Sequence, residues 1–134
     1  MKSLLKSKAA LLFLIGFLVM SVFGYDAKAC EIEMKIIKGK KEVYTPGDTI
    51  VVYVQVTLTH RACPEAIKKT KFETNGIKVI KSTQWKQTST MDYERKLMAV
   101  VTGTKNGKLT INAIRTCDKD GGFGSLKIES VPVN

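Results

Sequence analysis

Apolar and polar side chains alternate with a period of two through most of residues 30–134, and this pattern predicts strands. The strongest stretch is residues 49–59. Ile50, Val52, Val54, Val56 and Leu58 fall on one side of it, and Val51, Tyr53, Gln55 and Thr57 on the other. The first set is wholly apolar, so it should line a core. Ile32, Met34 and Ile36 alternate with Glu31, Glu33 and Lys35 in a first strand, and residues 42–44 read as a short extended piece. Strand pattern returns near Phe72, over residues 77–80, around Trp85, and over 93–102, 108–117 and 125–133. In the last of these Leu126 and Ile128 should point inward, and Pro132 suits an edge.

Turn chemistry separates these runs. Pro46 and Gly47 between Thr45 and Asp48 make a strong turn, because proline presets one φ and glycine accepts a positive one. Asn75 with Gly76, and Asn106 with Gly107, read as tight hairpin turns. Residues 60–70 read as a loop or one short helical turn, and residues 118–124 as a glycine-rich loop. About seven strands in one domain-sized segment indicate an all-β fold, a β-sandwich. No repeat, linker or heptad interrupts it.

The first 29 residues have a different pattern. Lys2, Lys6 and Lys8 precede an apolar run over residues 9–23, and Ala27 and Ala29 fit the small-x-small cleavage rule. The run is shorter than the ~20 residues of a permanent span. Residues 1–29 are therefore expected to be a helical signal peptide, and residues 30–134 an exported domain, periplasmic or extracellular. Cleavage after Ala29 makes Cys30 the first mature residue. That raises lipidation of Cys30, but Tyr25, Asp26 and Lys28 fit a lipoprotein signal poorly, so ordinary cleavage is preferred. Contact with a membrane is expected only if Cys30 carries lipid or the signal is uncleaved.

The chain carries a net charge of +10, part of it in the leader. Lys38, Lys40 and Lys41 form one basic cluster, and Arg61, Lys68, Lys69 and Lys71 another. Such clusters can grip phosphate or anionic lipid. A solvated surface is the plainer reading. No aromatic stacking motif accompanies the lysines, and export argues against nucleic acid.

The run Tyr44-x-Pro46-Gly47-Asp48-Thr49 leading into an alternating strand resembles the immunoglobulin-like domains of exported bacterial proteins. The resemblance implies an immunoglobulin-like β-sandwich and no particular activity. The chain departs from antibody-type domains at Trp85, which lies far beyond Cys63, and at Arg115, where a corner tyrosine would stand.

Three cysteines leave one unpaired or with a separate task. In an up-and-down reading, residues 49–59 and 108–117 run in the same direction. Cys63 then follows one strand and Cys117 ends the other at the same pole, with Cys117 sharing the inward parity of Leu109, Ile111 and Ala113. A Cys63–Cys117 disulfide would close a loop of about 54 residues, worth ~4 kcal/mol in the chain-entropy account. Domain stability is only ~5–15 kcal/mol, so such a staple matters. Cys30 could lie nearby as a free thiol or an intermolecular link.

The remaining chemistry is thin. His60 and Cys63 alone have metal-ligand spacing, so no metal or other cofactor is expected. Asp118 and Asp120 open like a calcium loop, but Gly122 lacks a ligand oxygen and Phe123 replaces the required glycine. Residues 121–124 are not a phosphate loop; they read as a flexible tip presenting Phe123. One histidine and scattered carboxylates leave no hydrolase arrangement, and Trp85 reads as core. The expectation is a non-enzymatic binding or accessory domain. It would recognise a protein or envelope component through residues 60–70 and 118–124, with His60, Arg61, Lys68, Lys69, Asp118, Asp120 and Phe123 as candidate contacts. The alternative is a thiol-redox or metal-carrier protein using Cys63, Cys117, Cys30 and His60, with Arg61 favouring a thiolate at Cys63.

Overall fold

In a computed structural model, which describes residues 30–59, 66–116 and 121–134, the alternation in residues 49–59 forms a strand whose Ile50, Val52, Val54 and Val56 are fully buried. The strands in chain order are β1 (Cys30–Lys38), β2 (Thr49–Leu58), β3 (Lys71–Asn75), β4 (Ile77–Ser82), β5 (Lys86–Gln87), β6 (Asp92–Val101), β7 (Lys108–Arg115) and β8 (Gly122–Glu129). A short 3-10 turn spans Ile67–Lys69. Of the expected strand runs, the one around Trp85 is reduced to β5, a two-residue ribbon on β6, and residues 42–44 give only the isolated bridge from Tyr44. Among the described residues no helix is long and apolar enough to cross a membrane. The expected signal helix, residues 1–29, lies outside them.

Two antiparallel sheets form. The larger has the order β1-β2-β6-β4, with β5 also on β6, and the smaller has the order β3-β7-β8. Their facing sides share one core, built on Ile32, Val52, Val54, Leu97, Leu109 and Ile111. This is the layered arrangement of a β-sandwich. Tyr44, in the expected extended stretch, is buried. It bridges to Ser130, and its hydroxyl accepts a hydrogen bond from the Lys41 N–H at 2.9 Å.

Three local expectations are corrected. Asn75 and Gly76 do not close a hairpin: β3 and β4 belong to different sheets, and Gly76, at φ 69°, turns a corner between them. Asn106 and Gly107 likewise join β6 to β7 across the two layers. Residues 122–124 are not a loop tip, because β8 already begins at Gly122 and ends at Glu129. At Asn75-Gly76 and Asn106-Gly107 the chain does bend, whereas Gly122 and Gly124 sit within a strand. The packing of the two layers decided where the chain went next.

The lateral edge between β3 and β4 is filled by aromatic side chains. Phe72 and Trp85 stack with ring centroids 6.4 Å apart, and the Arg95 guanidinium lies 5.0 Å from the Trp85 ring. Arg95 also donates to the Thr83 carbonyl through Nε at 3.1 Å and Nη2 at 2.7 Å. Trp85 packs against the core, as its sequence reading expects.

Candidate functional site

β1 and β8 begin at the same pole, and β2 and β7 end there. Cys30 pairs with Leu58, Arg115 pairs with Gly122, and Gly122 lies against Cys30. The contact between β1 and β8 depends on two missing side chains. A Cβ on Gly122 would sit 2.7 Å from the Cys30 Cβ, and one on Gly124 would sit 2.7 Å from the Ile32 carbonyl oxygen. Real Cβ atoms do not approach that closely, so glycine is required at both inward positions for this seam to close. Phe123, between them, faces outward and is 61% exposed.

Arg115 is the second organiser of the pole. It is an inward position of β7, 2% exposed, and its Nη1 donates to the Ala66 carbonyl at 3.0 Å. A buried cation needs such partners to offset lost hydration. The bond ties residue 66 to residue 115. Next to it the 3-10 turn exposes Lys68 and Lys69, and Thr70 Oγ1 donates to the Ile67 carbonyl at 2.8 Å. Asp92 braces the same pole: Thr57 Oγ1 donates to it at 2.7 Å and Ser89 Oγ at 2.5 Å. The hydrogen bond from Ser89, and then that from Thr57, holds the Asp92 carboxyl below its ordinary pKa.

Of the residues expected here, Cys30, Lys68, Lys69 and Phe123 are described and gather at this pole. His60, Arg61, Cys63, Cys117, Asp118 and Asp120 lie outside the described residues, and with them the expected Cys63–Cys117 bridge. Cys30 is a free thiol, 1% exposed. A thioether or an intermolecular disulfide on its sulfur requires the start of β1 to come away from Gly122. Among the described residues no three His, Cys, Asp or Glu side chains come together as a metal site.

The outer face of the larger sheet holds a feature that the alternation did not disclose. Towards the cysteine pole this face is acidic, with Glu31, Glu33, Asp92 and Glu94. Glu94 is engaged there: Tyr53 Oη donates to Glu94 Oε2 at 2.7 Å, and Lys86 Nζ lies 3.9 Å from Glu94 Oε1. That hydrogen bond to Glu94, aided by burial, raises the Tyr53 pKa. Towards the opposite end the face becomes apolar and basic. Ile37, Val51 and Met98 form the floor of an open groove of about 390 Å³, and Lys38, Lys81 and Lys96 stand around it. Val51 and Met98 occupy outward positions where a solvated sheet normally carries polar residues. Those two apolar residues, with Lys38 of the first basic cluster, are the trace of the groove in the sequence.

No protein-family model, curated protein or solved structure matches the chain.

Proposed function

We propose that the chain is an exported, non-enzymatic, immunoglobulin-like binding module, stapled between Cys63 and Cys117, that recognises a protein or an envelope component at its cysteine pole. The observation that carries this reading is the Arg115–Ala66 hydrogen bond. It brings residue 66, just after Cys63, to residue 115, just before Cys117, so the described flanks of the two loops meet. The strand order supports the immunoglobulin-like part. Constant-type immunoglobulin domains put their first, second, fifth and fourth strands in one sheet and their third, sixth and seventh in the other. With the short β5 set aside, β1-β2-β6-β4 and β3-β7-β8 follow that order. Loops held by a rigid sandwich are the usual recognition surface of such domains, and exposed Phe123 offers an aromatic anchor beside them.

A photo-crosslinking residue placed at 123 tests the reading in the producing cell. It should capture one defined envelope component, while the same residue at 127, further along β8, should not. Capture at neither position, together with reactive thiols or a bound metal in the isolated protein, would favour a thiol or metal carrier instead.

A further inference from the structure

We infer that the outer face of the larger sheet binds a single-chain anionic amphiphile from solution, an alkyl chain ending in a carboxylate or a phosphate. This site stands apart from the cysteine pole and from the partner proposed there.

One row of residues crosses all four long strands of the sheet. Lys38 pairs with Val51, Val51 with Met98, and Met98 with Lys81. Both edge strands slip register beside this row, β1 between Ile36 and Lys38 and β4 between Val79 and Lys81. Each slip is a bulge that adds one isoleucine, Ile37 or Ile80, next to a lysine. Bulges bend a strand and re-aim its side chains, and they recur beside functional sites. Here two bulges flank the same central pair, Val51 and Met98. Ile37 and Met98 remain 41% and 38% exposed, which leaves an apolar strip uncovered in the middle of a sheet face.

The charges around the strip are uncompensated. Among the described residues the ion pairs are Lys41 with Asp48 and Lys86 with Glu94; none involves Lys38, Lys81 or Lys96. No carboxylate lines the groove. One hydroxyl at its rim is oriented from behind: Thr83 Oγ1 accepts from the Lys96 N–H at 2.9 Å. That oxygen is engaged as an acceptor, so its proton can be donated to an incoming oxyanion. An apolar floor with cations and a hydroxyl donor at its rim complements a ligand that is itself half apolar and half anionic.

Size selects one chain. Three inter-strand spacings give the row a length of about 14 Å. A volume of about 390 Å³ is at the small end of ligand sites. A single alkyl chain can lie along such a groove, whereas a flat bilayer surface cannot enter it.

The test uses protein isolated in the form in which cells process it, titrated with decanoate and with decyl phosphate below their micelle concentrations. Methyl and amide NMR signals of Ile37, Val51 and Met98 should shift and saturate. Decyltrimethylammonium, which has the chain but the wrong charge, and inorganic phosphate, which has the charge but no chain, should not saturate them. Combining Lys38→Glu with Lys81→Glu should weaken decanoate at least tenfold without moving the thermal transition. Should that double variant fail to fold, Lys96→Gln should still weaken it several-fold. Equal binding of the cationic amphiphile, shifts that map elsewhere, or an affinity indifferent to these substitutions would overturn the proposal. So would binding to phosphatidylglycerol vesicles without binding to decanoate, which would make this face a membrane contact.

Discussion

The two ends of the sandwich solve opposite problems. At the cysteine pole close contacts tie the described strands together: Gly122 and Gly124 let β1 and β8 touch, Arg115 is buried against Ala66, and Asp92 accepts two side-chain hydrogen bonds. At the opposite end of the larger sheet, two bulges hold an apolar strip open and three lysines stand around it without acidic partners among the described residues. At the first end β1 and β8 start side by side and β2 and β7 finish. The second has residual polarity and exposed apolar area that folding does not use. Substitutions in the packed seam of the pole should therefore register in stability, and substitutions at the groove in binding.

The sharpest way to break this contrast is to remove the proposed staple. Cys63→Ser should cost ~4 kcal/mol of unfolding free energy, read from denaturant melts under non-reducing conditions. Wild-type behaviour of that variant would remove the pole's claim to be the stabilising end. Next in size, Gly124→Ala should destabilise by about 2–3 kcal/mol, because its methyl would meet the Ile32 backbone, which cannot rotate away. Arg115→Ala leaves the Ala66 carbonyl without its buried donor and should cost roughly 2 kcal/mol in the same assay.

Acid titration sharpens the comparison at a smaller scale. Asp92 at the pole and Asp48 near the groove end both have lowered pKa values, for different reasons. Hydrogen bonds from the neutral hydroxyls of Ser89 and Thr57 depress Asp92. The hydrogen bond from the Lys41 ammonium, 2.8 Å away, is the largest cause for Asp48, followed by the Thr45 backbone. A carboxyl whose folded pKa is depressed contributes stability above its unfolded pKa, near ~4, and that contribution is lost as pH falls through the folded value. Both contributions should therefore vanish on the acid side. Added salt should raise the Asp48 pKa, measured by NMR, and leave that of Asp92 nearly unchanged, because salt screens the charged pair. Equal salt responses would contradict the assigned causes. The smallest expected stability effect belongs to the groove: reversing Lys38 and Lys81 should move unfolding by less than ~0.5 kcal/mol.

Much of the layered fold was legible because burial is one-sided. β2 declares itself through five alternating apolar residues, and the turn at Pro46 and Gly47 sets where it starts. Sheet membership was not legible. Asn75-Gly76 and Asn106-Gly107 specify bends, yet whether a bend returns along the same sheet or crosses to the other depends on contacts far away in sequence. Glycines 122 and 124 misled for a related reason. In a strand they mark a close approach by another backbone, but without a known neighbour they look like flexible loop. The groove was hidden because its two bulges break the period-two rule by which outward and inward positions are told apart. At the pole, Phe123 and the lysines of the 3-10 turn stand out by residue type alone. Arg115 was noticed only as a departure from a tyrosine, and its role as the tie between residues 66 and 115 needed the third dimension.

The most direct measurement is a disulfide map of the isolated, unreduced protein by protease digestion and mass spectrometry. One cross-linked peptide pair joining Cys63 to Cys117 is expected, with a separate peptide in which Cys30 is an unmodified thiol. A cross-link through Cys30, or three unpaired thiols, would rule out the staple.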